Sequence, residues 1–133
     1  MKARVDWPAL FAEATRAQAA AYAPYSGFKV GAALMASSGE IFSGCNVENA
    51  SYGLTICAER AAVSAAVVAG HTDFLALAVV GGSQPVPPCG ACRQVLAEFG
   101  SSLAICSRGD DGDETLWELA DLLPNPFRDF RKL

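Results

Sequence analysis

The chain has 133 residues, the size of one ordinary domain, and a domain of that length buries about 68–70% of its unfolded surface. At 52% hydrophobic against 18% charged residues it is too apolar to be disordered, and its surplus of apolar surface points to an oligomer. The formal net charge of −4 leaves no basic footprint for nucleic acid or an anionic membrane, which favours a small-molecule substrate.

The stretch from Met1 to Asp6 lacks the apolar core of a signal peptide, and five cysteines are an odd number. Both point to a cytoplasmic protein with reduced thiols. Asp6 is placed to cap a helix with Pro8 in its early turn and Leu10, Phe11, Ala14, Ala17 and Ala21 along one apolar face, ended by Pro24. Phe28 to Met35 reads as a strand, Ser37-Ser38-Gly39 as a turn and Glu40 to Val47 as a second strand, together a hairpin. Strand period places Asn46 and Glu48 on one side and Val47 on the other.

The Ala-rich run from Cys57 to Ala69 predicts a helix closed by Gly70, with side chains small enough for close packing on a sheet. Leu75 to Val80 is a run of six apolar residues, the pattern of a strand buried on both faces. The uncharged stretch Phe74 to Cys92 is interrupted by Gly81, Gly82, Pro85, Pro87, Pro88 and Gly90, so no membrane helix runs through it. A helix from Cys89 to Phe99 and a strand from Leu103 to Cys106 follow, and strand, helix and strand in that order imply a right-handed parallel crossover. The spacing predicts a last helix over Leu116 to Leu123, stopped by Pro124, with Phe127 in the tail beyond. An antiparallel hairpin joined to a parallel unit makes a mixed sheet with helices on its faces. No repeat or linker divides residues 1–133, which read as a single domain.

Cys89 and Cys92 form a Cys-x-x-Cys pair, Cys57 offers a third thiolate upstream, and Glu59 lies two positions beyond it. Structural zinc sites fill four positions with protein, whereas catalytic sites keep one for water, whose pKa the metal lowers to about 7. Three ligands therefore read as a catalytic Zn2+ site, one ion per chain. Residues two apart point to nearly opposite sides of a helix, so Cys57 and Glu59 can converge only at a helix N-terminus. Cys89 and Cys92 open a second helix in the same way, and two positive helix ends suit thiolates. Glu59 is the natural proton carrier between water and a substrate nitrogen. Arg60, three residues after Cys57, shares its face and can offset the excess negative charge of three thiolates by hydrogen bonding to one of them.

Cys-x-Glu followed by Pro-Cys-x-x-Cys matches a motif of the zinc-dependent nucleoside and nucleobase deaminases. Tyr25-Ser26-Gly27-Phe28-Lys29-Val30-Gly31-Ala32-Ala33-Leu34, Gly44-Cys45-Asn46-Val47-Glu48-Asn49, Cys57-Ala58-Glu59-Arg60, Pro88-Cys89-Gly90-Ala91-Cys92-Arg93-Gln94 and Leu122-Leu123-Pro124 narrow this further. Together they resemble the small tetrameric cytidine deaminases over nearly the whole chain. The resemblance implies a three-layer α/β/α fold with a five-stranded mixed sheet and a homotetramer. It also implies hydrolysis of cytidine and deoxycytidine at C4 to uridine and deoxyuridine, with release of ammonia. It assigns Asn46 and Glu48 to the ribose hydroxyls, Phe28 to the face of the pyrimidine, Ala58 to the substrate set, and Phe127 to a neighbouring subunit's site. The run Arg108-Gly109-Asp110-Asp111-Gly112-Asp113-Glu114 is short and acidic where the family has a clearer fifth strand, which leaves that strand's limits open.

Plainer roles exist for several of these residues. Arg60 could be a surface ion-pair partner, Asn46 and Glu48 turn residues, Phe28 a core side chain and Phe127 a tail anchor. Cys45 and Cys106 read as small buried hydrophobes, His71 as a helix C-terminal cap and Asp110 to Glu114 as a solvated loop. Rival functions are a zinc-stabilised interaction module, which needs a fourth protein ligand, and a blasticidin S or polynucleotide deaminase, which the Asn46/Glu48 pair disfavours.

Overall fold

The computed structural model describes residues 3–129 and 131, so Met1 and Lys2 of the N-terminal reading lie outside the described residues. Helix α1 runs Trp7–Ala19, and the Asp6 carboxylate accepts from Ala9 N at 3.1 Å, the cap the sequence predicts. Strands β1 (Gly31–Ala36) and β2 (Ile41–Cys45) form the hairpin. They are followed by a 3-10 turn at Tyr52–Leu54, helix α2 (Ala58–Val68) and strand β3 (Phe74–Val80). Helix α3 (Gly90–Ala97), strands β4 (Ala104–Arg108) and β5 (Glu114–Glu118) and the short helix α4 (Leu119–Leu122) complete the chain.

The sheet order is β2-β1-β3-β4-β5, with β3 and β4 parallel and every other pair antiparallel. Alternation along β1 divides the core. Ala33 and Met35 face α1 with Leu10, Phe11 and Ala14, while Ala32, Leu34 and Ala36 face α2 and α3 with Ala62, Val63, Ala66 and Leu96. The predicted three-layer α/β/α architecture with a five-stranded mixed sheet is therefore the one observed. Small residues set its spacing. A Cβ on Gly44 would lie 2.5 Å from both Ala58 O and Ala62 N, so α2 rests directly on the backbone of β2.

One element differs from expectation. Residues 116–118, read as the start of the last helix, belong to β5, whose Glu114 to Glu118 pair with Arg108 to Ala104. Leu116, Leu119, Ala120 and Leu123 carry helical spacing, but an open edge on β4 and strand-favouring Thr115 and Trp117 decide for the ladder. The helix is confined to Leu119–Leu122. Strand β1 also starts later than predicted, at Gly31, because Phe28 O and Val30 N are bonded to the Asn46 side chain and Lys29 O to that of Gln18. Cys106 is buried as expected, whereas Cys45 is only half-buried. His71 closes α2 through its backbone N–H to Ala66 O, and its ring lies beside Phe42 and Glu40. The acidic run is more than a solvated loop, since Asp110 N donates to Gly82 O and Asp111 N to Ser83 O.

Candidate metal centre

Cys57 and Cys89 occupy the N-cap positions of α2 and α3, with extended backbone at φ −75°, ψ 152° and φ −66°, ψ 169°. Cys92 enters from the first turn of α3. The Cys57 and Cys89 sulfurs lie 3.9 Å apart, those of Cys89 and Cys92 3.4 Å, and all three fall within 4.8 Å of one another. Thiolates held tetrahedrally at about 2.3 Å from zinc stand about 3.8 Å apart, so the three sulfurs fit one Zn2+. Among the described residues no fourth His, Cys, Asp or Glu joins the cluster.

The local electrostatics favour the charged form at Cys57 and oppose it at Cys92. A hydrogen bond from Cys92, with help from Arg60, lowers the Cys57 thiol to about 5, and the same contact together with burial holds the Cys92 thiol above its ordinary range. The cysteines thus share protons that a metal displaces on binding. Arg60 Nη2 donates to Cys57 Sγ at 3.4 Å and to Thr55 O at 3.3 Å, while its Nε is buried without an acceptor. Glu59 is 6% exposed, and burial pushes its carboxyl up, with the Cys57 charge adding to the effect and Arg60 opposing it.

A cavity of about 250 Å³ at the carboxyl end of β3 brings together Phe28, Asn46, Cys57, Ala58, Glu59 and Cys89, walled by Val79, Val86 and Pro87. A second, of about 420 Å³, is lined by Tyr25, Ser26, Glu48, Tyr52 and Thr55, and Thr55 borders both. Asn46 and Glu48 therefore address neighbouring cavities. Asn46 is 8% exposed and engaged at both ends of its amide, with Oδ1 accepting from Val30 N at 2.9 Å and Nδ2 donating to Phe28 O at 2.8 Å. Glu48 accepts from Tyr25 N at 2.9 Å, Ser26 N at 3.1 Å and the Ser26 hydroxyl, contacts that hold its carboxyl below the usual range. Phe127 is not brought to this cavity. It is 76% exposed and lines a separate hollow with Gln94 and Glu98.

Sequence reasoning passed over Thr55, Val86 and Pro87 as lining residues, and Ser107, whose fully buried Oγ accepts from Val86 N at 3.0 Å and holds the cavity's lip. The proline pair beside Cys89 was the one available signal for that lip.

Residues 7–107 match the family model described as the cytidine and deoxycytidylate deaminase zinc-binding region. The chain is 49% identical over 125 residues to a cytidine deaminase of Sporosarcina psychrophila, covering 92% of each chain. It is 50% identical over 124 residues to one of Mycobacterium tuberculosis, covering 92% of this chain and 90% of that one. The crystal structure of a cytidine deaminase from Burkholderia pseudomallei superimposes with a TM-score of 0.88 at 50% identity, over 92% of this chain and all of that one.

Proposed function

The chain belongs to the zinc-dependent cytidine deaminase family, and on that premise we propose that it hydrolyses free cytidine and deoxycytidine to uridine and deoxyuridine with release of ammonia. It is a hydrolase whose cofactor is one Zn2+, with Cys57, Cys89 and Cys92 as the residues that would hold it. The observation that carries the reading is a buried carboxylate, Glu59, in one cavity with thiols from two helix N-termini. When bound, Zn2+ supplies a Lewis acid able to lower the pKa of water to about 7.

Glu59 carries the proton. Burial raises its pKa toward the working pH, where a group is best able both to accept a proton from the attacking water and to deliver it to a substrate nitrogen. Arg60 offsets the charge that three thiolates leave in excess of a divalent ion, through its bond to Cys57. Phe28 packs on the pyrimidine beside Ala58, and Asn46 fixes the backbone that follows Phe28, at Phe28 O and Val30 N, while keeping one amide N–H for a sugar hydroxyl. Glu48 takes the ribose. Its oxygens are already bonded, yet a carboxylate has about four acceptor positions, so a hydroxyl adds without displacing Ser26.

Phe127 completes the site of a neighbouring copy in a homotetramer. In support, Tyr25, Val47, Tyr52, Leu54 and Ile56 leave a large apolar area exposed around the site. The whole chain acts as one domain in the cytoplasm, and no helix among the described residues is long and apolar enough to cross a membrane.

The test is zinc per chain measured together with ammonia release from cytidine, cytosine, blasticidin S and single-stranded DNA at equal concentration. One zinc is expected, with cytosine slower than cytidine by about 10- to 150-fold, the equivalent of one hydrogen bond to a charged group. Ammonia release without zinc, or cytosine or DNA matching cytidine, overturns the reading.

A further inference from the structure

Arg93 follows the last of the three cysteines and lines neither cavity, yet its guanidinium is bound to two backbone carbonyls. Nε donates to Pro88 O at 2.7 Å, and Nη1 to Leu122 O at 3.0 Å. The first carbonyl belongs to the peptide that enters Cys89. A peptide unit is planar, so holding Pro88 O fixes the direction of the Cys89 N–H and the place of its Cα. Pro88 is fully buried, which removes the competition of water from one of the shortest bonds near the site. The second carbonyl ends α4, so a single side chain ties the metal loop to the C-terminal segment.

We propose that Arg93 is a positioning residue for the metal loop: by locking the Pro88–Cys89 peptide against the end of α4 it sets how tightly zinc is held, without touching metal or nucleoside. This rests on the three-cysteine zinc centre proposed above. The chemistry requires arginine. Its planar fork reaches two carbonyls in different directions at once, whereas a lysine ammonium keeps the charge and, on a single tip, gives up one of them. Gln94 supplies an internal comparison. It also binds the C-terminal segment, donating to Phe127 O at 2.9 Å and accepting from Phe127 N at 3.2 Å, but makes no bond to the Pro88 carbonyl.

The experiment follows zinc release from the loaded protein to an excess of a chromogenic chelator, for the unmodified chain and for Arg93→Lys, Arg93→Ala and Gln94→Ala, with circular dichroism as a check of fold. Outer partners of metal ligands typically change affinity by about 10- to 100-fold. Release is expected about tenfold faster in Arg93→Lys and up to about 100-fold faster in Arg93→Ala, with Gln94→Ala at the unmodified rate. With saturating zinc, KM for cytidine in Arg93→Lys stays at the unmodified value. Unchanged release from the Arg93 variants overturns the inference, as does an equal acceleration by Gln94→Ala, which would mean general loosening of α3. Should Arg93→Ala not fold, Arg93→Lys against Gln94→Ala decides alone. An unmodified chain that carries no zinc overturns the zinc centre itself, an outcome distinct from either of these.

Discussion

A glutamate with 6% of its surface exposed, and with a thiolate two residues away, is held where its charge is least comfortable. That discomfort makes Glu59 a good proton carrier and leads to a direct expectation for Glu59→Gln. The amide keeps the shape and the neighbours but cannot exchange a proton, so zinc content is unchanged and kcat falls by about 10²- to 10⁴-fold. Metal analysis beside a kcat measurement checks both halves, and a variant that loses zinc would make Glu59 a ligand. Glu48 works in the opposite sense. Its carboxyl is held low by Ser26 and Tyr25, so what it contributes to the Tyr25–Ser26 turn is fully present above the ordinary value near 4.5 and is lost as pH falls through the lower folded value. The protection factor of the Ser26 amide, its exchange rate relative to the intrinsic rate at the same pH, is expected to fall in acid only below about pH 4.5, and the step should vanish in Glu48→Gln.

At the scale of elements, the site is a matter of where two helices begin, and that depends on how closely α2 can approach β2. In Gly44→Ala the new methyl meets Ala58 O and Ala62 N at 2.5 Å, so the helix start that carries Cys57 and Glu59 must lift. Overpacking of this kind costs about 1–3 kcal/mol, and a lowered melting temperature with reduced kcat is the expected result. The cysteines, the glutamate and their helix ends were legible because i, i+2 spacing permits convergence only at an N-terminus. The limits of β5 were not legible, since Leu116 to Leu123 satisfies a helical pattern that the free edge of β4 and strand-favouring Thr115 and Trp117 overrule. Nor was the engagement of Asn46 or Arg93, whose partners are backbone carbonyls and amides that carry no mark in the sequence.

For the whole molecule, Tyr25, Phe28, Val47, Tyr52, Leu54 and Ile56 leave apolar surface exposed around the site, and Phe127 stands away from the cavity of its own chain. The expectation is that specific activity falls on dilution as copies separate, and that Phe127→Ala raises KM about tenfold, the equivalent of about 1.4 kcal/mol. Light scattering alongside an activity assay across concentrations tests this, and an undiminished active monomer contradicts it. One feature of α2 and α3 also reaches beyond the site. Their N-cap residues are cysteines, and neither side chain accepts from a backbone N–H of its own helix, so both helices forgo the local cap worth about 1 kcal/mol that Ser or Asp provides at this position. Metal bridging the two caps would then be the fastening of both helix starts, and chelation should unravel them together. Hydrogen exchange in the opening turns at Ala58–Ala61 and Gly90–Arg93 would then rise in step on zinc removal, while the Asp6-capped start of α1 keeps its protection.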